Sequence, residues 1–298
     1  MSRNSDLGGI VAMLAGTASF VVGDSFMKVV IGDLPPFEVL FLRGVAAILA
    51  CGVLLLLTGD WRAVGGVRDR RALLRAGAET VATLCYILAL ARLPIADAIA
   101  ILQIAPLLVI LGAGLLFRER IGRARLALVL AGFAGAVMVA QPGPAGVSSA
   151  ALFAFASALL AAVRDLFGRG VPARIPVMVV TFATNVMLMS GAGGLSLVLE
   201  PRTAPTGQNL AFLGLAGLFV TLGHIGLLRA YRIGRTAAVA PFFYSFALWA
   251  MLAGLIVWGA LPSALALVGI ALIIGSGAAI VALDQRRGGD EVAREGAV

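Results

Sequence analysis

The chain has 298 residues, of which 61% are hydrophobic and 13% charged, against about 25% charged in a soluble domain. A single core of this length cannot hide so much apolar surface from water, so an ordinary soluble enzyme is excluded and lipid is the solvent that fits. The formal charge of +8 suggests nucleic acid only until its distribution along the chain is followed.

Ten apolar stretches of membrane-spanning length follow one another: Leu7–Ile31, Phe37–Leu57, Ala72–Ala91, Ile95–Leu116, Leu126–Ala140, Ser149–Phe167, Ile175–Leu199, Asn209–Leu228, Thr236–Gly259 and Ser263–Leu283. The first is too long for the core of a cleavable signal and reads as a span. The fifth is short, and reaches normal length if Arg123 and Arg125 snorkel to the interface. Cys51 and Cys85 both lie in apolar stretches, with no second Cys or His at metal-ligand spacing.

With the N-terminus inside, the inner segments hold Arg3, Arg62, Arg68, Arg70, Arg71, Arg118, Arg120, Arg123, Arg125, Arg169, Arg174, Arg229, Arg232, Arg235, Arg286, Arg287 and Arg294, whereas the outer loops hold only Arg92 and Arg202. This asymmetry is the positive-inside rule, and it requires an even number of spans with both termini cytoplasmic. The basic balance therefore explains topology and calls for no nucleic-acid partner. A bacterial inner membrane is the expected location.

The chain also matches itself. A shift of 140 places Ala113-Gly114-Leu115 on Ala253-Gly254-Leu255, Arg92 on Arg232 and Gly135 on Gly275; a shift of 141 places Asp24, Phe26 and Lys28 on Asp165, Phe167 and Arg169. Five spans per half is an odd number, so the second half enters the membrane from the opposite side. The expected fold is an all-α integral membrane protein of ten transmembrane helices, in two inverted five-helix repeats around a central cavity. The first repeat covers residues 7–141, the second 148–283, and residues 284–298 form a cytoplasmic tail.

Certain stretches carry a resemblance. Phe41-Leu42-Arg43-Gly44-Val45-Ala46-Ala47, Ala89-Leu90-Ala91-Arg92, Pro106, and Arg118-Glu119-Arg120 before a Gly-rich span stand in the order and spacing of the EamA-type transporters of the drug/metabolite transporter superfamily. Over Gly9 to Leu283 the chain resembles that family, and within it most resembles the YddG-type bacterial amino-acid exporters. The second half departs from the pattern, with Trp258-Gly259-Ala260 in place of Arg118-Glu119-Arg120. The resemblance implies a cavity lined by spans 1, 3, 4, 6, 8 and 9 and export of small metabolites.

Polar residues that cannot avoid the membrane are the candidate site, because an ionisable group in lipid needs a cavity or a partner. Toward the outer leaflet lie Asp24, Lys28, Arg43 and Asp97, a neutral set read as gating ion pairs or as a permanent bridge. Asp24 and Lys28, at i and i+4, are placed to pair on one helix face. Toward the inner leaflet lie Glu79, Arg164, Asp165 and His224. Glu79, Thr83 and Tyr86 share one face of the third span. Glu79 is either a substrate or proton carboxylate, or a partner of Arg75 or Arg164. The lone histidine, His224, argues against a metal site; it is read as a proton relay or a hydrogen bond between helices.

In spans 4 and 9, Pro106 and Pro241 each free a backbone carbonyl one turn earlier. Ile101, Gln103, Tyr244 and Trp249 therefore join Glu79, Thr83, Tyr86 and His224 as expected cavity lining. No catalytic motif, cofactor site or nucleotide domain is recognisable. The expected function is a secondary transporter exporting neutral or aromatic amino acids by alternating access. Proton-coupled efflux of cationic drugs through a lone buried Glu79 is the alternative. The partners are a small-molecule substrate and the bilayer. Small-residue faces leave oligomeric state open and are compatible with a monomer.

Overall fold

The computed structural model describes residues 3–116, 122–141, 147–168, 170–172, 174–234 and 236–295. Arg118, Glu119, Arg120, Arg169 and Arg235, used above for orientation or resemblance, lie outside them. All regular structure among the described residues is helical: α1 Arg3–Val30, α2 Pro36–Thr58, a 3-10 segment Asp60–Arg68, α3 Arg70–Leu90, α4 Ile95–Leu102, α5 Ala105–Leu116, α6 Arg123–Ala140, α7 Ser149–Gly168, α8 Val177–Leu199, α9 Gly207–Ile233, α10 Thr236–Val239, a 3-10 segment Ala240–Tyr244, α11 Ser245–Trp258 and α12 Ala264–Glu295. They make ten candidate membrane spans, with α4 and α5 together forming the fourth and the second 3-10 segment with α11 the ninth. The helix α6 starts at Arg123, so both arginines of the short fifth span sit in its first turn. The last helix does not stop at 283 but continues to Glu295.

Helix ends follow local chemistry. Asp69 accepts from the backbone N–H groups of Arg71 and Ala72 to start α3, and Thr206 from that of Asn209 to start α9. Gly59 and Gly259 end α2 and α11 in the left-handed region, at φ 77° and 62°. Pro35 and Pro36 give α2 no capping side chain; instead the Glu200 carboxylate accepts from the N–H groups of Phe37 and Glu38 at 2.7 and 2.9 Å. This ties the end of α8 to the start of α2.

The packing has a regular plan. Span 1 lies along span 8, and span 3 along span 6; span 2 contacts span 8, and span 3 contacts span 7; span 4 meets span 6, and span 1 meets span 9. The pairs 2 with 7, 4 with 9 and 5 with 10 complete the set of main contacts. Exchanging each span for the one five places away returns the same pairs. Where span 5 (α6) crosses span 10 (α12), a Cβ on Gly135 would lie 2.6 Å from the Gly269 carbonyl oxygen, and one on Gly269 would lie 2.5 Å from that of Gly135. Only glycine lets the two backbones approach so closely. The outward surface is apolar in the manner of a lipid-facing bundle, with Leu49, Leu56, Leu57, Leu115 and Ile256 exposed.

Candidate functional site

The polar face of α3 organises the core. Tyr86 donates its hydroxyl to Asp24 Oδ2 of α1 at 2.9 Å, and both side chains are buried. Asp24 therefore pairs with Tyr86 and not with Lys28 one turn along its own helix. Lys28 instead donates to the carbonyls of Leu90 and Leu93, at 2.7 and 2.6 Å, where α3 ends. The cation thus meets the negative end of a helix and supplies donors to carbonyls that lack partners in the helix.

Two turns below Tyr86, Glu79 forms an ion pair with Arg164 of α7, whose Nε also donates to Asp165 Oδ1 at 2.8 Å. Arg75 lies within electrostatic reach of all three. Of the two partners weighed for Glu79, the direct one is Arg164. Arg43 of α2 is buried to 6% exposure, within electrostatic reach of Asp24 and Glu79, and its Nε has no hydrogen-bond partner among the described residues. Three acids, Asp24, Glu79 and Asp165, thus stand among three arginines, Arg43, Arg75 and Arg164, in one neutral network through spans 1, 2, 3 and 6. The sets that sequence position assigns to different leaflets are joined by the Glu79-to-Tyr86 face.

The remaining polar groups are more self-contained. The Thr83 hydroxyl donates to the Glu79 carbonyl on its own helix. His224 Nδ1 donates to the Val220 carbonyl at 2.8 Å, also within its own helix, so the expected hydrogen bond to a neighbouring helix is replaced by an edge contact with the Phe20 ring at 4.9 Å.

Spans 4 and 9 are interrupted at matching places. Between α4 and α5 the chain turns at Gln103 and Ile104, and ahead of α11 it tightens into the 3-10 segment. In span 4 the α-helix is interrupted by two turn residues, whereas span 9 stays helical and changes from α to 3-10 and back, so the carbonyls expected to be freed by Pro106 and Pro241 are released to different extents. Gln103 Nε2 donates to the Phe243 carbonyl at 3.4 Å, so a side chain from one break serves the backbone of the other. The hydroxyls of Thr17 and Ser245, 2.9 Å apart and buried, fasten α1 to the start of α11.

The other residues expected to line a cavity are packed in this conformation. Ile101 is fully buried in an apolar cluster. The Tyr244 ring lies over Gly277 of α12, where a Cβ would come within 1.9 Å of it; it is turned to a peripheral helix. Trp249 packs on the other large apolar cluster, with its Nε1 buried and unpartnered among the described residues. None of these eight borders either of two cavities seen at the end of the bundle where α1, α3 and α11 finish. One, of about 270 Å³, is lined by Lys28, Asp97, Trp258 and the chain around Pro94 and Pro262. The other, of about 460 Å³, is a groove between α2 and α8, with Glu38 and Arg202 at its polar end. Sequence reasoning passed over Glu200 and Thr17. Glu200 sits beside Pro201 in an acid-poor chain, and that was its only signal.

A charge-balanced ion network, partly buried, inside ten membrane-length helices, one interrupted at mid-span and another opened by a 3-10 segment, is the anatomy of a multi-pass membrane transporter. Residues 7–141 match the model of the EamA-like transporter family. A riboflavin transporter from Rhizobium johnstonii is 35% identical over 202 residues, 68% of this chain and 67% of that protein. A riboflavin transporter from Vibrio cholerae is 28% identical over 65% of each chain. A pseudopaline exporter from Pseudomonas aeruginosa is 27% identical over 94% of this chain and 97% of its own. A crystal structure 22% identical in sequence covers 96% of this chain and 99% of its own with a TM-score of 0.65, which is a likeness of fold. The chain belongs to the EamA-like transporter family.

Proposed function

We propose that the protein is a secondary carrier in which two inverted five-helix repeats, residues 7–141 and 148–283, alternate access to a site at their interface. The observation that carries this reading is the meeting of the turn in span 4 with the 3-10 segment of span 9, where Gln103 is bonded to the Phe243 carbonyl. Breaks of this kind leave backbone groups open to a solute at mid-membrane. The packing plan, unchanged when every span is exchanged for the one five places on, supports the repeat. So do the limits of the family match at residues 7 and 141. The expected placement is the bacterial inner membrane, with both termini cytoplasmic.

For the substrate, similarity to the riboflavin transporters puts riboflavin first. The core suits a neutral, partly aromatic solute, since its charges cancel. Neutral or aromatic amino acids are the second reading, favoured by the same balance of charge. Efflux of cationic drugs by a lone carboxylate has less support, because Glu79 is held by Arg164. The test is transport by the purified protein in liposomes, with riboflavin, phenylalanine and a lipophilic cation offered in turn, with and without a pH gradient. Saturable movement of riboflavin supports the reading, and movement of the cation alone overturns it.

A further inference from the structure

The cavity of about 270 Å³ is lined by elements of both proposed repeats and holds groups that the ion network leaves out. Lys28 lines it, and two of the three ammonium hydrogens are taken by the Leu90 and Leu93 carbonyls, leaving one donor. Asp97 lines it too, in the first turn of α4, and its buried Oδ1 has no hydrogen-bond partner among the described residues. The Trp258 ring lies 5.9 Å from Lys28 Nζ. Pro94 and Pro262 add flat apolar wall.

Gln141 and Ser263 also line the cavity but bond each other, so the spare Lys28 donor, the Asp97 carboxylate and the Trp258 ring, with charges of +1 and −1 that cancel, describe a complementary ligand. A lone cation meets Lys28 and a lone anion meets Asp97, so net charge is disfavoured in either sign. A buried carboxylate oxygen without a partner gains most from an N–H donor. We infer that this cavity binds a neutral planar heteroaromatic ring with an N–H beside a carbonyl, the N–H going to Asp97, the carbonyl to Lys28 and the ring against Trp258. Such a lactam or imide edge is found on the flavin ring, so the inference rests on the flavin reading above and gives it a place: a vestibule at the end of the bundle remote from the N-terminus, outside the Gln103 contact.

The experiment is equilibrium dialysis of the full-length protein in nanodiscs with four probes: riboflavin, lumichrome (the ring without the sugar chain), ribitol and phenylalanine. Lumichrome and riboflavin are expected to saturate a site and ribitol to bind nowhere. Asp97→Asn and Trp258→Leu are each expected to weaken lumichrome at least tenfold. Trp258 is partly exposed, so its variant keeps the fold if Asp97→Asn does not, and circular dichroism checks both. Absence of lumichrome binding to the wild type, unchanged binding in folded variants, or preference for phenylalanine overturns the vestibule. Lumichrome binding that depends on Asp97 without riboflavin transport keeps the vestibule and removes the flavin carrier reading. Riboflavin transport with unaltered variants does the reverse.

Discussion

Gln103 and Phe243 stand 140 positions apart, the same offset that superposes the two halves of the sequence, and the side chain of the first bonds the backbone of the second. The turn in span 4 therefore reaches the 3-10 segment of span 9.

Removing that contact tests its role. Gln103→Ala is expected to cost about 1 kcal/mol of stability, the net worth of one hydrogen bond, and to slow transport more than thermal unfolding reveals. The comparison is between initial transport rate in liposomes and melting temperature in detergent; a variant with wild-type rate shows that the bond has no part in the cycle.

The Glu79–Arg164 pair yields a double-variant cycle. Either Glu79→Gln or Arg164→Met takes one counter-charge from its partner, which keeps Asp165 or Arg75 nearby, for an expected loss of about 1–3 kcal/mol. The double variant is expected to lose less than the two added together. Additive losses, measured by chemical denaturation in micelles, mean that the ion pair contributes no coupling. If Glu79→Gln also transports as wild type at every pH, the carboxylate has no binding or coupling role.

Tyr86→Phe strips Asp24 of the hydroxyl that donates to it. The buried carboxylate then lacks a donor, at an expected cost of about 1–3 kcal/mol. Pairing Tyr86→Phe with Asp24→Leu, which removes the stranded acceptor, is expected to recover part of the loss. Thermal melts of the three variants decide the matter, and no recovery argues that Asp24 is satisfied elsewhere.

Gly277→Ala places a methyl where the Tyr244 ring lies. Ring and helix must separate, at an expected cost of about 1–3 kcal/mol. Tyr244→Ala in the same chain is expected to relieve the clash. Lack of relief shows that α12 is strained there by something other than the ring.

Most of the fold was legible because the bilayer imposes a length on apolar runs, and all ten spans are where hydropathy puts them. The breaks in spans 4 and 9 were legible as prolines, though their extent was not, since a proline fixes the loss of one hydrogen bond and its neighbours decide how far the ladder opens. Lys28 shows where local reasoning stops. An acid four residues away on its own helix was the nearest partner by spacing, yet carbonyls 62 and 65 residues along the chain took its hydrogens. Asp24 in turn found Tyr86, also 62 residues away. Tyr244 was placed by its position just after Pro241, and position along a helix does not say to which side a ring turns. That direction was set by Gly277, whose missing side chain leaves room for the ring.

The crossing of α6 over α12 has a mechanical meaning. Main chains in contact at Gly135 and Gly269 cannot ratchet past each other by a turn, because the next residue to arrive would bring a side chain into a gap with room for hydrogen only. Those two rods are therefore held in register against sliding along each other.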